Sequence, residues 1–233
     1  MATQLQLEQS GFAIVPQVLP PSARHALLDL LGPVTGAGRR GLLAVPAVSQ
    51  LASSATLLDL VRPHLPSEPR AVRAIYFDKS PDANWLVAWH QDLTLALRAQ
   101  VDAPGFGPRS IKNGVPHVQP PIELLERMLT VRLHLDDCDA SNGALKVLPG
   151  SHRFGRLSAE RITELRAQHP ETVCRASAGD ALLMRPLLLH ASSRSQTTRH
   201  RRILHLEYAA FTLPAGLEWS ETSPPFPDAG SLK

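Results

Sequence analysis

Two residues near the middle of the chain have the types and the spacing of metal ligands. His90 and Asp92 belong to the tetrapeptide at residues 89–92 (WHQD), which ends a short run of aromatic and β-branched residues typical of a β-strand. Side chains of a strand alternate between its two faces, so His90 and Asp92 point the same way, with Cα atoms about 7 Å apart. Together they can supply two ligands to one metal ion.

His190 is the best candidate for a third ligand. It follows the apolar run of residues 181–189, where a polar side chain is out of place unless it has a function. Two imidazoles and one carboxylate on one face of an ion, with the opposite positions open, form the ligand set of non-haem Fe(II) oxygenases. The sequence therefore predicts an iron site made by His90, Asp92 and His190.

Arg201 is positioned to bind a cosubstrate of such an iron site. The commonest partner of the metal in dioxygen chemistry is a chelated 2-oxo acid, whose far carboxylate needs a fixed cation, preferably the planar fork of an arginine. Arg201 lies eleven residues after His190, across an expected hairpin at residues 192–200. Antiparallel strands joined by such a turn bring their ends together, so we expect Arg201 within a cosubstrate's length of the metal.

The composition is that of a globular protein. Of 233 residues, 43% are hydrophobic and 19% are charged, and the formal net charge is only +3. The basic runs at residues 38–40 and 199–202 are too short for a nucleic-acid arm. Cys138 and Cys174 cannot form a disulfide framework and fit a reducing compartment.

The sequence has neither a leader pattern at its amino terminus nor an apolar span of about 18 residues. We therefore expect a soluble cytoplasmic protein that binds a small molecule, and neither nucleic acid nor membrane. The expected oligomeric state is a monomer or a weak homodimer.

Helices are predicted mainly in the first third of the chain. The patterns indicate helices at residues 3–9, 23–31 and 50–61, and a later one at 158–169. Ser22, Ser49 and Ser158 are expected to cap three of them, and Gly32 to end one. The leucines of residues 50–61 are spaced for one buried stripe, so we expect the early helices to brace a sheet.

Strand patterns dominate from residue 70 onwards. They cover residues 71–77, 85–90, 128–135, 144–148, 180–190 and 202–211, after an early strand at 11–16. The dipeptide Asn142-Gly143 is a strong hairpin signal. Helices followed by runs of strands predict a mainly β domain with flanking helices (α+β), a sandwich or jelly roll with the early helices packed on one sheet.

The chain is expected to form a single domain over residues 1–233, with its core at about 10–212. Residues 93–119 are rich in Pro and Gly and show no convincing period, and a loop of that length is usually functional or disordered. Because they directly follow the candidate ligands, we expect a lid that orders when substrate binds. The Pro- and Ser-rich residues 213–233 are expected to form a loose C-terminal tail.

Four sequence motifs in order resemble the phytanoyl-CoA dioxygenase-like family of Fe(II)- and 2-oxoglutarate-dependent oxygenases. They are residues 11–16 (GFAIVP), residues 89–92 (WHQD), residues 142–152 (NGALKVLPGSH), and residues 190–192 (HAS) followed by Arg201. The resemblance spans about residues 10–210. It implies a double-stranded β-helix (a cupin-like jelly roll), Fe(II) on His90, Asp92 and His190, and the 5-carboxylate of 2-oxoglutarate on Arg201.

The same resemblance points to two supporting residues. Ser192 matches a position that often supports the 5-carboxylate, although a hairpin serine is nearly as good an interpretation. Lys79 falls where such proteins often carry a lysine near cosubstrate or substrate, and a solvated lysine is an even alternative. Arg199 and Arg202 compete with Arg201, but strand parity places Arg202 on the opposite face.

The expected activity is hydroxylation of an unactivated C–H bond by O2, with release of succinate and CO2. Desaturation and ring chemistry stay open. Mild basicity and arginines near the site favour a small anionic or zwitterionic metabolite. Two alternatives remain: an inactive binding or regulatory module on the same fold, and a cupin-like metal enzyme without a 2-oxo acid, whose activity would survive replacement of Arg201 by Ala.

Overall fold

The computed structural model describes residues 2–34, 36 and 38–221. In this part of the chain the α-helices are α1 (Ala2–Ser10), α2 (Pro21–Leu31), α3 (Pro46–Ala52), α4 (Ala55–Val61), α5 (Ile122–Glu126) and α6 (Ala159–Gln168). Short 3-10 helices lie at Leu42–Ala44, Arg62–His64, Ala140–Asn142 and Ser151–Phe154. None of the helices described is both long and apolar enough to cross a membrane.

The strands follow one another along most of the chain. They are β1 (Phe12–Val15), β2 (Arg70–Lys79), β3 (Val87–His90), β4 (Leu95–Ala96), β5 (Arg109–Lys112), β6 (Val115–Val118), β7 (Met128–His134), β8 (Leu145–Val147), β9 (Thr172–Val173), β10 (Ala181–Met184), β11 (His190–Ser192) and β12 (Arg201–Ala209). They form a major sheet of order β1-β10-β7-β12-β2, a minor sheet of order β3-β11-β8-β9, and a small sheet of order β4-β6-β5. Their pairings are antiparallel.

Strand alternation explains how the two larger sheets pack. On β10, Leu182 and Met184 join a cluster with Leu145 and Val147 of the minor sheet, so the two sheets face each other. Leu183, one residue along, belongs to the cluster on the other side of the major sheet. That cluster also contains the apolar faces of α2, α3 and α4, so the early helices brace the major sheet as expected.

Two helix starts differ from the sequence prediction. α2 begins at Pro21, with Pro20 as its N-cap, and proline is favoured at the first position of a helix. Ser22 therefore lies inside the first turn and is not the cap. The predicted helix at 50–61 is in fact two helices, because the Ser54 hydroxyl accepts the Leu57 N–H and starts α4 there. Ser49 is a buried residue of α3 and caps nothing.

The predicted strand at 180–190 is two strands in different sheets. β10 belongs to the major sheet and β11 to the minor sheet, and Pro186, which has no N–H to pair, lies between them. The prediction of a hairpin at Asn142-Gly143 is also wrong, because the strands on its two sides lie in different sheets. There the chain passes from β7 in the major sheet to β8 in the minor sheet, through a 3-10 turn capped reciprocally by Asp139 and Asn142.

Residues 93–119 differ from the expected loop because they contain β4, β5 and β6. Trp219 extends this small sheet through a bridge to Leu97, and the Ser220 N–H donates to the Ala96 carbonyl. Trp219 is buried beside Phe211. The tail expected to be loose from 213 is therefore packed as far as residue 221, and residues 222–233 lie outside the described residues.

Candidate metal centre

Strand pairing brings the two histidines of the predicted site together. His90 ends β3 and His190 begins β11, and the two residues are register partners in the minor sheet. Their ring centroids are 4.2 Å apart. The pairing of β11 with β3 is irregular. Two residue steps along β11, from His190 to Ser192, correspond to three steps along β3, from His90 to Val87. Trp85 and Val87 line the same cavity as His90, although strict strand alternation would place them on the opposite face.

Asp92 completes the group from the segment that follows β3. Its backbone N–H donates to the Pro186 carbonyl at 2.9 Å, which ties this segment to the connection before β11. The Asp92 carboxylate lies 3.7 Å from His90 Nε2 and 3.8 Å from His190 Nε2. One ligand atom from each of His90, Asp92 and His190 lies within 4.8 Å of the other two, so the three can hold one ion.

Backbone carbonyls set the orientation of both imidazoles. Nδ1 of His90 lies 2.8 Å from the Ala88 carbonyl, and Nδ1 of His190 lies 2.8 Å from the Leu188 carbonyl. An N–H on Nδ1 leaves Nε2 as a lone-pair donor aimed at Asp92, which is the tautomer that a metal needs. Burial lowers the pKa of His190 to about 4, so this imidazole is neutral at physiological pH.

Gln91, between the two ligands, is a positioning residue that the sequence prediction missed. Its side-chain amide donates to the Gly155 carbonyl at 2.8 Å and the Leu187 carbonyl at 2.7 Å. Its amide oxygen accepts the Leu157 N–H at 2.8 Å. These bonds fix the ligand segment from the face opposite His90 and Asp92. The signal was its place between two candidate ligands in an extended segment, where alternation turns its side chain away from theirs.

Arg201 lines the same cavity, but the strand that carries it is not the hairpin partner of β11 that was predicted. β11 and β12 belong to different sheets, so residues 192–200 do not form the expected hairpin. Arg201 is instead the register partner of Lys79 in the major sheet and faces the minor sheet across the cavity. Its side chain is buried and donates to the Gly143 carbonyl at 2.8 Å, while its Nε has no hydrogen-bond partner among the described residues.

The two competing arginines are engaged elsewhere. Arg202 makes a two-pronged ion pair with Asp136, and Arg199 pairs with Asp139. Both ion pairs are partly exposed to solvent, and neither arginine lines the cavity.

Lys79 and Ser192 form a buried pair behind the cavity wall. Lys79 is fully buried, and its ammonium donates to the Ser192 hydroxyl at 3.0 Å and the Ser193 carbonyl at 2.6 Å. Burial and the charge of Arg201 lower the pKa of Lys79 to about 7. Ser192 lines the cavity, and because its oxygen accepts from Lys79, its own proton is free to donate into the cavity.

The cavity has a volume of about 250 Å³ and lies between the facing sheets. A polar array that the sequence did not reveal covers its major-sheet wall. Arg132 Nη1 lies 3.0 Å from Nδ1 of His205, and Glu207 accepts from Arg73 at 3.1 Å. His134, the last residue of β7, is buried without lining the cavity, and burial lowers its pKa to about 3.

Comparison with known proteins gives a family and a fold. The family model of phytanoyl-CoA dioxygenase (PhyH) matches residues 37–203. The chain is similar to apo EctD from S. alaskensis, with 20% identity, a TM-score of 0.70, and coverage of 90% of this chain and 76% of that chain. It is also similar to HygX from Streptomyces hygroscopicus with nickel and 2-oxoglutarate bound (19% identity, TM-score 0.64, 91% and 87%).

A third similar structure is the non-heme α-ketoglutarate-dependent epimerase SnoN from nogalamycin biosynthesis (16% identity, TM-score 0.65, 89% and 82%). No curated protein matches the chain in sequence. At these identities the structural likeness establishes the fold, and it confirms the predicted cupin-like jelly roll with flanking helices.

Proposed function

The chain belongs to the phytanoyl-CoA dioxygenase family of Fe(II)- and 2-oxoglutarate-dependent oxygenases, and from that membership we propose that it hydroxylates a small anionic or zwitterionic metabolite. The bond attacked is an unactivated C–H, and the coproducts are succinate and CO2. His90, Asp92 and His190 are proposed to hold the iron, and Arg201, Ser192 and Lys79 to hold the cosubstrate.

The observation that carries this proposal is the placement of His90, Asp92, His190 and Arg201 around one cavity. The donor set fits Fe(II), since two imidazoles and one carboxylate converge from one side and leave the cavity side open. The arginine fits a carboxylate, since its buried Nε lacks a partner among the described residues, and Arg201 lines the same cavity as Ser192.

When bound, the metal and 2-oxoglutarate supply the oxidation of a C–H bond by dioxygen, coupled to decarboxylation of the cosubstrate. The chain supplies orientation. The carbonyls of Ala88 and Leu188 fix which nitrogen of each imidazole faces the ion. Arg201 would hold the far carboxylate, and Lys79 holds the Ser192 hydroxyl on the same side of the cavity.

The segment at 93–119 is proposed to act as a lid that excludes water during the reaction. Leu93, Thr94 and Lys112 line the cavity opposite the major sheet. The small sheet is attached along one edge to residues 218–220, so it can order over a bound substrate without losing its own pairing.

The test is anaerobic addition of Fe(II) and then 2-oxoglutarate, followed by the weak visible charge-transfer band of the metal chelate. The native chain is expected to develop the band. Arg201→Ala should need a far higher cosubstrate concentration, because it loses charge-assisted hydrogen bonds worth about 1.5–3 kcal/mol each. Arg202→Ala is the matched control, since Arg202 is adjacent but pairs with Asp136 away from the cavity.

The outcomes separate the proposal from its alternatives. A native band that Arg201→Ala loses at the same cosubstrate concentration supports iron and 2-oxoglutarate together, and justifies a substrate screen scored by succinate. Iron retention without a band points to a metal enzyme that uses no 2-oxo acid. No band with no iron retained refutes the assigned metal and cosubstrate residues.

A further inference from the structure

The proposed metal and cosubstrate sites do not use three cationic side chains of the cavity lining, which are more exposed than the buried Arg132 and Arg201. Arg40, Arg73 and Lys112 line the same cavity as His90 and His190. They come from three separate parts of the chain: the segment before α3, strand β2 and strand β5. The fold therefore brings three positive charges from distant parts of the sequence to one cavity.

Backbone pairing aims Arg40 at the cavity. The Arg39 N–H donates to the Tyr76 carbonyl and the Tyr76 N–H to the Arg39 carbonyl, each at 2.8 Å, which adds residue 39 to the edge of the major sheet. Neighbouring side chains on a strand point to opposite faces, so Arg40 lies on the cavity face with Arg73. Arg39 is exposed on the other face, whereas Arg40 is half-buried.

Lys112 approaches the opening from the other side. It belongs to the exposed strand β5, and its ammonium donates to the Thr94 hydroxyl at 3.2 Å. Burial and the charge of Arg73 lower the pKa of Lys112, and the same two effects lower the pKa of Arg40. The three cations are therefore close enough to repel one another, and an anion between them would relieve that repulsion.

The charge of the cavity lining favours an anion. Its charged residues are Arg40, Arg73, Lys112, Arg132, Arg201, Asp92 and Glu207, five cations and two carboxylates, with a net charge of +3. Glu207 is already paired with Arg73. A divalent metal and a dianionic cosubstrate cancel each other, so they leave this excess unchanged. A substrate entering the cavity meets a positive field at its mouth.

We propose that Arg40, Arg73 and Lys112 bind an oxyanion of the substrate, a phosphate or a carboxylate, at the mouth of the cavity. Two guanidinium groups and one ammonium can surround such a group from the sheet side and the lid side together. This assignment rests on the proposed function and gives its substrate a class: a small anion whose charged end lies away from the carbon to be oxidised.

The test is an anaerobic calorimetric titration of the Fe(II)–2-oxoglutarate holoenzyme with inorganic phosphate and, separately, with malonate. The native protein should bind one of them saturably, and the better anion identifies the oxyanion. Arg40→Gln and Lys112→Gln should each weaken that binding about 10-fold to 100-fold, the loss of one charge-assisted contact. Arg39→Gln is the matched control and should bind within about twofold of the native protein.

Unchanged affinity in Arg40→Gln and Lys112→Gln overturns the assignment, as does a native protein that binds neither anion saturably. The charge-transfer band, recorded before each titration, shows whether metal and cosubstrate are in place. If the band never forms, the proposed cosubstrate fails, and the same titrations on the metal-free chain still decide whether the cation cluster binds an oxyanion.

Discussion

Lys79 makes the stability of this protein depend on pH in a way that one substitution can isolate. Its ammonium is fully buried, and its described hydrogen bonds go to Ser192 and Ser193 and to no carboxylate. Burial and the charge of Arg201 lower its pKa from 10.5 to about 7. Lys79→Met keeps most of the length of the side chain and removes the titrating group.

The direction follows from proton counting. Between pH 7 and pH 10.5 the unfolded chain holds a proton on Lys79 that the folded chain has released, so the free energy of unfolding rises with pH in this window. One pKa unit corresponds to about 1.4 kcal/mol. From pH 7, where Lys79 is half protonated in the folded protein, to pH 9 the expected gain is about 2 kcal/mol.

Urea unfolding at pH 7, 8 and 9 measures the free energy of unfolding of the native protein and of Lys79→Met. Subtracting one from the other at each pH removes the contribution of the titrating groups that both proteins contain. The native protein should gain about 2 kcal/mol more than the variant between pH 7 and pH 9. Equal gains in the two proteins would refute the assignment of a low pKa to Lys79. Fe(II) and 2-oxoglutarate should shrink the difference, because a carboxylate bound beside Ser192 stabilises the charged ammonium.

Three further predictions test the framework around the site. Gln91→Leu should leave a folded protein whose Fe(II) affinity falls about 10-fold to 100-fold, measured by anaerobic metal titration, because it loses the bonds that fix the ligand segment; native affinity would exclude a positioning role. Gly143→Ala should destabilise the fold by about 1–3 kcal/mol more than Gly114→Ala in urea unfolding. Both glycines have positive φ, but only at Gly143 would a Cβ lie 2.6 Å from a backbone oxygen, that of Ser193; equal losses would contradict this. Trp219→Ala should speed hydrogen exchange in β4 and β6, because it removes a buried contact at the edge of the small sheet; unchanged protection there would show that the small sheet does not depend on this edge.

The candidate site combines buried elements of the two larger sheets with an exposed strand of the small sheet. Two of the candidate metal ligands lie on β3 and β11 in the minor sheet, and the proposed cosubstrate residues Lys79 and Arg201 lie on β2 and β12, which pair along their length in the major sheet. The small sheet contributes Lys112 of β5 to the cavity lining, and β5 is exposed throughout. This division suits an enzyme that must hold its metal fixed while it admits and releases substrates.

Much of the candidate site could be predicted because its residues carry local signals. His90 and Asp92 are two residues apart at the end of an expected strand, and His190 is a polar residue after a long apolar run. Those signals depend only on residue type and on the period of a strand, so they survive without tertiary information. Gln91 was missed because its function consists of bonds to the carbonyls of residues 155 and 187, far away in sequence.

The errors in the strand connections have one physical cause. A turn signal such as Asn142-Gly143 reports the local backbone conformation, and Gly143 does have a positive φ. It does not report which sheet the next strand joins, because that choice depends on apolar surface buried between distant segments. In this fold the chain crosses between sheets at Gly143 and again after Ser192, where a hairpin was expected both times.

The sequence by itself determined the strand-rich fold class and the candidate ligands, because alternation and residue chemistry act over a few neighbours. The choice of Arg201 rested on the family resemblance and on an expected hairpin that does not form. Only the tertiary structure decided how Arg201 reaches the cavity, since it faces His190 from the opposite sheet. The tertiary structure also decided that Arg40, Arg73 and Lys112 share one opening. Charges on separate elements become neighbours only when the sheets pack against each other. The periodicity of residues along one strand or helix does not predict that packing.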